Sequence, residues 1–173
     1  MISDQNYLNW HKKLQTNKGF GRFWVFWGIY SAVFFIVIGL YLVAGNWKVA
    51  VPTLISFILA RYIVSPLIYV FYKKPRPYQR LNFNTIYSWL MSKKKTIHNS
   101  FPSDHAIGYM SITGVLIYYL PVLGWLGAVM VLMNGLARII LGYHDEKDVS
   151  AGWLLGIGCA WVSIYYLLPI IIK

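Results

Sequence analysis

A short polar stretch interrupts an otherwise apolar chain where a long hydrophobic run begins. Residues 98–106 read HNSFPSDHA, so that Ser103, Asp104 and His105 directly follow Pro102. Proline suits the first turn of a helix, and the unpaired N–H groups of such a turn attract anions. The Ser103 hydroxyl and the His105 imidazole add hydrogen-bonding groups there. Plain helix capping would explain the serine or the aspartate, but it does not explain the histidine.

A second stretch, ARIILGYHDEKDV, supplies another histidine with an acidic neighbour. His144 and Asp148 are four residues apart, so on a first helical turn the carboxylate can hydrogen-bond one ring nitrogen and leave the other more basic. Arg138 precedes them near the end of an apolar run. With Ser103 counted in, these residue types also fit a Ser-His-Asp hydrolase.

A third stretch, YKKPRPYQR, is strongly basic and contains Lys73, Lys74 and Arg76. Its two prolines end the preceding helix and keep the chain extended. A basic segment that only anchors the end of a transmembrane helix would have the same sequence pattern. Several cations around two histidines nevertheless fit a phosphoryl group better than a carbonyl, because phosphoryl transfer depends on positioning and on neutralising the phosphate oxygens.

The overall composition indicates that these stretches belong to a membrane protein. Of the 173 residues, 58% are hydrophobic and only 12% are charged, whereas soluble domains average about 25% charged residues. The 16 Lys and Arg outnumber the 5 Asp and Glu, and they lie in short loops between apolar runs. That placement disfavours nucleic acid as a partner and favours anionic headgroups or a phosphorylated substrate.

Five apolar segments approach the spanning length of about 20 residues. They cover residues 23–45, 49–72, 102–120, 122–143 and 150–172. Because backbone groups in lipid must be paired internally, the sequence predicts an all-α integral membrane helical bundle with about five transmembrane helices. Gly152, Gly156 and Gly158 are expected to allow close helix packing. Arg61, near the middle of the second segment, fits either a substrate pathway or a buried structural ion pair.

The N-terminal residues 1–21 form a separate amphipathic segment. Tyr7, Trp10 and Leu14 recur at helical spacing among lysines, which predicts a helix that lies in the membrane interface with Trp10 at headgroup depth. Five spans place this segment, the loop at residues 73–101 and the HDEKD loop on the same side of the membrane. All three polar stretches therefore share one face.

The three stretches also resemble a known family. KKPRP, SFPSDHA and ARIILGYHDEKD stand in the order of the three signature motifs of the type 2 phosphatidic acid phosphatases, which are integral membrane lipid phosphatases. The resemblance covers about residues 69–148 and implies a single membrane-embedded phosphatase domain over residues 1–173. The second motif, SFPSDH, is similar to the corresponding motif of bacterial phosphatases that act on undecaprenyl diphosphate. The small size, with one span fewer than the usual six, resembles bacterial lipid A 1-phosphatases.

The resemblance implies a role for each matching residue. His144 is the nucleophile that forms a phosphohistidine, and Asp148 orients it. His105 protonates the leaving oxygen and later activates water. The residues implied to bind the phosphate oxygens are Arg76, Ser103, Arg138 and, through the backbone, Asp104.

Two positions depart from the family pattern. A lysine usually stands seven residues before the arginine of the first motif, where this chain has Tyr69. Lys74, or as the less favoured choice Lys73, is expected to supply the missing positive charge. The second motif commonly reads Ser-Gly-His, whereas Asp104 makes it Ser-Asp-His here.

The expected function is metal-independent hydrolysis of the terminal phosphate of a bacterial envelope lipid, without a cofactor. Lipid A 1-phosphate and undecaprenyl diphosphate are the favoured substrates, and phosphatidylglycerol phosphate is an alternative. The membrane and the phosphorylated lipid are the expected partners, and no nucleic acid or obligatory protein partner is inferred. A non-enzymatic lipid-phosphate binding or transport protein is the competing class. The basic residues on the shared face favour a cytoplasmic location for that face. The family resemblance favours the periplasmic side of the inner membrane, and we expect the active site there.

Overall fold

The chain folds into helices that are joined by short connections. The computed structural model describes residues 2–83 and 99–171, apart from the side chains of residues 43, 44 and 171. Those two ranges contain no strand, which confirms the all-α class. The helices are α1 (Asp4–Thr16), α2 (Lys18–Ile29), α3 (Ser31–Gly45), α4 (Trp47–Ile58), a π-helical segment (Leu59–Val64), α5 (Ser65–Phe71), α6 (Pro77–Arg80), α7 (Asp104–Tyr119), α8 (Pro121–Ile140), α9 (Glu146–Val162), a second π-helical segment (Ser163–Leu167) and α10 (Leu168–Ile171). Residues 84–98 of the predicted 73–101 loop lie outside the described ranges.

Four continuous helical stretches in the described part of the chain are long and apolar enough to cross a membrane. They are Lys18–Leu42, Trp47–Phe71, Pro121–Ile140 and Glu146–Ile170. They match the first, second, fourth and fifth predicted segments and confirm an integral membrane helical bundle. Large apolar side chains such as Phe71 and Leu154 point outward, as expected of surfaces that contact lipid tails.

The third predicted segment forms α7, the central helix of the bundle. Its 16 residues measure about 24 Å, which is less than the hydrocarbon thickness of roughly 30 Å. Helices α4, α8 and α9 pack around it, and Ile107, Val115 and Leu116 are fully buried. Only Leu120 separates the end of α7 from the longer α8, and these two helices pack against each other.

Two glycines let α9 approach the backbone of α7. A methyl group at Gly156 would lie 2.6 Å from the carbonyl oxygen of Ile107, and one at Gly152 would lie 3.0 Å from that of Ser103. The prediction of close packing is confirmed at both positions. It is wrong for Gly158, which has nothing within 4 Å because it lies on the outer side of the helix. The close contact fixes the start of α7 against the start of α9.

The predicted N-terminal amphipathic helix is present as α1, and its apolar side packs on the protein itself. Tyr7 is 1% exposed and belongs to a cluster with Ala106, Ile139 and Val149, against which Trp10 also packs. The hydroxyl of Tyr7 donates a hydrogen bond to Asp145 at 3.0 Å. Trp10, which the sequence predicts at headgroup depth, is only partly buried against this cluster. Helix α1 therefore covers the side of the bundle where the polar stretches meet.

Candidate active site

The three polar stretches of the sequence meet where α7 and α9 begin. The backbone N–H of Ser103 donates to the carbonyl oxygen of Asp148 at 2.9 Å, and that of Ser100 donates to the carbonyl oxygen of Lys74 at 2.8 Å. These two bonds join the segment before α7 to the first turn of α9 and to the segment after α5. Residues far apart in sequence therefore share one small, mostly buried region.

His144 lies in this region and is 2% exposed. Its Nδ1 atom is 2.8 Å from the backbone carbonyl oxygen of Ser100. A carbonyl oxygen can only accept, so Nδ1 carries the hydrogen and Nε2 keeps a free lone pair. Burial lowers the pKa of His144, and the charges of Arg76 and Arg138 lower it further against an opposing effect of Asp148. These effects favour the neutral form of the ring.

Asp148 is not bonded directly to this imidazole. Its Oδ2 atom is 3.9 Å from Nδ1 of His144, which is too long for a hydrogen bond. The carboxylate instead caps its own helix by accepting from the N–H of Asp145 at 3.0 Å. It also accepts from the Ser100 hydroxyl. Ser100 thus stands between the two residues, and the direct bond anticipated from their four-residue spacing is replaced by a bridge.

Lys74 completes the surroundings of the fully buried Asp148. Its Nζ atom lies 2.5 Å from Asp148 and 2.8 Å from Asp145. Burial alone would lower the pKa of Lys74, but the bonds to these two carboxylates outweigh burial and raise it. Such pairing is what makes a buried carboxylate tolerable. The structure thus places the ammonium group of Lys74 on carboxylates, whereas the sequence predicted that it would bind the phosphate.

Lys73 and Tyr69, the other two positions considered for the missing motif lysine, have different surroundings. Lys73 is exposed. The hydroxyl of Tyr69, at the position where the family usually has lysine, donates to the carbonyl oxygen of Pro102 at 3.0 Å. Tyr69 therefore ties α5 to the segment before α7 and does not replace a cation.

His105 and Arg138 face each other across the start of α7. The Nη2 atom of Arg138 lies 2.6 Å from Nε2 of His105, and because a guanidinium only donates, this nitrogen of His105 is the acceptor. The Arg138 guanidinium is also 5.3 Å from the ring centre of Tyr143. The ring of His105 meets Tyr109 edge-on at 5.5 Å. The ring of Tyr143 and the imidazole of His105 therefore orient a buried cation, and Tyr109 packs against that imidazole.

Two buried donors of this region have no hydrogen-bond partner among the residues that the structure describes. They are the Ser103 hydroxyl and the Nε atom of Arg138. Buried polar groups are normally paired, so unpaired donors need an explanation. Both lie beside the first turn of α7, whose N–H groups also lack helical acceptors. A group with several acceptor oxygens, such as phosphate, would satisfy all of them.

A profile of the PAP2 superfamily matches residues 50–171, which include every residue of this region. The chain belongs to the PAP2 superfamily. The recognition made from the three motifs is thereby confirmed.

The chain is also similar to curated proteins from Sulfolobus acidocaldarius and from two Bacillus species. It is 31% identical over 117 residues to a protein named undecaprenyl-diphosphatase from Sulfolobus acidocaldarius, which covers 67% of this chain and 52% of that protein. It is 27% identical over 99 residues to undecaprenyl-diphosphatase BcrC of Bacillus subtilis, covering 57% and 48%. It is 44% identical over 61 residues to the bacitracin transport permease protein BcrC of Bacillus licheniformis, covering 35% and 30%. The matches thus span about half or less of each relative. No solved structure matches.

Sequence reasoning missed Ser100, which lies in this PAP2 superfamily site. It lies within HNSFPSDHA, but a loop residue has no periodicity that predicts its partners. Its contacts with His144 and Asp148 arise only when the loop is folded against α9. Arg76 was predicted, and its guanidinium lies within electrostatic reach of His144.

Proposed function

We propose that this member of the PAP2 superfamily is a membrane phosphatase that removes the terminal phosphate of an envelope lipid. The observation that carries the proposal is a pair of buried donors, on Ser103 and Arg138, that have no partner among the described residues. They lie beside His144, whose Nε2 is free, and His105, whose Nε2 accepts from Arg138. Undecaprenyl diphosphate is the favoured substrate, because two relatives bear that activity in their names. Lipid A 1-phosphate has a similarly stabilised leaving group, and phosphatidylglycerol phosphate is the further alternative.

In the proposed reaction, Nε2 of His144 attacks phosphorus and the bond to the leaving oxygen breaks. The guanidinium groups of Arg76 and Arg138, the Ser103 hydroxyl and the backbone near Asp104 neutralise the phosphate oxygens. When Arg138 turns to the phosphate it releases Nε2 of His105, which takes up a proton from solvent and passes it to the leaving oxygen.

The second step regenerates the enzyme. His105, which has lost its proton, accepts one from a water molecule, and the resulting hydroxide attacks the phosphohistidine. The bond between phosphorus and Nε2 of His144 breaks, which frees phosphate and the neutral imidazole, and His105 returns its proton to solvent. The Ser100 carbonyl oxygen holds Nδ1–H throughout, so the attacking nitrogen remains the same in every cycle.

We propose the bacterial inner membrane as the location, with the active site on the periplasmic face. Cysteine labelling tests the orientation in a Cys159→Ala background, since the chain has a single cysteine. Lys12, on α1, and Lys48, at the start of the second span, are both exposed, and the proposed topology puts them on opposite faces of the membrane. An impermeant maleimide should label Lys12→Cys in intact spheroplasts and Lys48→Cys only after lysis. The reverse pattern would place the site in the cytoplasm.

Phosphate release by the purified protein tests the activity. Each of the three lipids is presented in the same detergent micelles, with excess EDTA and then with vanadate. We expect release that survives EDTA, stops with vanadate and is greatest for undecaprenyl diphosphate. Binding without release would favour the lipid-binding or transport alternative. A strict requirement for Mg²⁺ would contradict metal independence.

A further inference from the structure

Arg61 lies at the level of the candidate active site, although the sequence places it near the middle of the second span. Its Nη1 atom pairs with the Asp104 carboxylate in the first turn of α7. One turn further along both helices, a methyl group at Gly108 would meet the ring of Phe57 at 3.1 Å. The two helices thus run side by side in a fixed register. This register brings Arg61 next to the residue that precedes His105.

Part of the Arg61 side chain remains accessible to a ligand. The side chain is 36% exposed, and the structure gives it Asp104 as its partner among the described residues. Asp104 also accepts from the Ser65 hydroxyl at 2.7 Å, so the carboxylate is itself held in place. A guanidinium has five donors in a planar fork. Because one edge of the Arg61 guanidinium pairs with a fixed carboxylate, its other edges are left oriented for an oxyanion.

The surroundings of Arg61 change from polar to apolar along the second span. On one side lie Asp104 and the catalytic region. On the other side, starting one turn away at Phe57, an apolar cavity of about 430 Å³ lies between α3, α4 and α7. Its lining includes Leu42, Leu54 and Ile112. Arg61 therefore lies between the candidate active site, which suits a terminal phosphate, and the apolar cavity, which suits a hydrocarbon chain.

We propose that Arg61 is a specificity-determining residue that binds the phosphate which stays on the lipid when a diphosphate is cleaved. The proposal rests on the proposed function, because it assumes that the terminal phosphate is held by Ser103 and Arg138. In a lipid diphosphate, the retained phosphate lies between the transferred phosphoryl group and the hydrocarbon chain. Arg61 likewise lies between the candidate active site and the apolar cavity. Asp104, at the position where the family usually has glycine, then orients Arg61.

Binding of two non-hydrolysable lipids with the same prenyl tail tests this role. One is a methylene-bridged diphosphonate and the other is a monophosphonate, and their Kd values are measured by calorimetry in one detergent. We expect the wild-type protein to bind the diphosphonate at least tenfold more tightly. Arg61→Gln should remove most of that preference by weakening the diphosphonate about tenfold or more, with less than a threefold effect on the monophosphonate. Lys48→Gln, a loss of one cation at the other end of the same span, should change neither Kd.

A second variant separates recognition from folding. Arg61→Gln leaves the Asp104 carboxylate without its cation, which can destabilise the bundle. The double variant Arg61→Gln with Asp104→Asn has no unpaired charge, and it should show the same loss of preference. Equal weakening of both ligands, or an unchanged preference in the double variant, would overturn the proposal and leave Arg61 a structural clamp. Because the assay needs no turnover, absence of phosphate release by the wild-type protein would contradict the proposed function separately.

Discussion

His144 is held by the backbone of Ser100 rather than by the carboxylate of Asp148. The Nδ1 atom is 2.8 Å from the Ser100 carbonyl oxygen and 3.9 Å from Oδ2 of Asp148. The backbone bond fixes which ring nitrogen is free. The buried carboxylate contributes its charge from a greater distance and anchors the loop through the Ser100 hydroxyl. Orientation and electrostatic support of the imidazole are thus provided by different groups.

The two site histidines should fail in different ways when replaced. His144→Ala removes the proposed nucleophile and should lower kcat by about 10⁴-fold or more. His105→Ala removes only the proton donor, a loss of roughly 10²–10⁴-fold, and should still form phosphohistidine slowly from a substrate with a good leaving group. Turnover and trapping of the phosphorylated protein by mass spectrometry distinguish the two.

His11 offers a matched control for these replacements. It stacks on Phe83 at 4.5 Å, outside the candidate site, so His11→Gln should retain wild-type turnover. Equal, partial losses in the His144 and His105 variants would contradict the division of roles.

Lys74 and the neighbouring Lys73 should differ sharply, because only Lys74 contacts the buried Asp148. If Lys74 positions Asp148, then Lys74→Gln should lower kcat by about 10- to 100-fold, as small displacements of catalytic groups do, with little change in KM. Lys73→Gln removes the same charge from an exposed position and should change kcat by less than about twofold. A rise in KM at constant kcat would show instead that Lys74 binds the phosphate, as the sequence suggested.

The pH profile should reflect the lowered pKa of His144. Its pKa lies below the ordinary 6.5 because of burial and then of Arg76 and Arg138. Because only neutral imidazole attacks phosphorus, the acid limb of kcat/KM should fall below pH 6.5. Arg76→Gln removes a charge that disfavours imidazolium, so its acid limb should move upward, whereas Lys147→Gln on the exposed surface should not move it. An acid limb above pH 6.5 in the wild-type protein would contradict the assignment.

Most of the fold was predictable because lipid imposes a simple rule on the sequence. Each apolar segment must satisfy its own backbone, so length and hydropathy are enough to predict the helices. The one segment that behaves differently, α7, is surrounded by other helices, and its 16 residues are too few to cross the hydrocarbon layer by themselves. Hydropathy cannot distinguish a central helix from one that faces lipid, since both are apolar.

The site was predictable at the level of residue types and less so at the level of contacts. The motifs indicated His105, Arg138 and His144, which the structure brings into one region. The partner of Lys74 was not predictable, because a basic loop residue can meet either a phosphate or a carboxylate. Which of these it meets depends on how the capping of α9 turns Asp148.

The contact of α9 with α7 should control activity through the geometry of the site. At Gly156 an added methyl group would lie 2.6 Å from the Ile107 carbonyl oxygen and 2.9 Å from Met110, so Gly156→Ala must push the helices apart. Overpacking of this kind costs about 1–3 kcal/mol. It should lower the unfolding temperature in detergent and, by separating Ser103 from Asp148, lower kcat as well.

Gly158, two residues away on the same helix, provides the control for that substitution. Nothing lies within 4 Å of a methyl group added there, and alanine favours helix over glycine by up to about 1 kcal/mol. Gly158→Ala should therefore leave kcat unchanged and keep or raise the unfolding temperature. If both variants behaved alike, helix propensity would account for the effects. The distance between α7 and α9 would then not be what sets the geometry of the site.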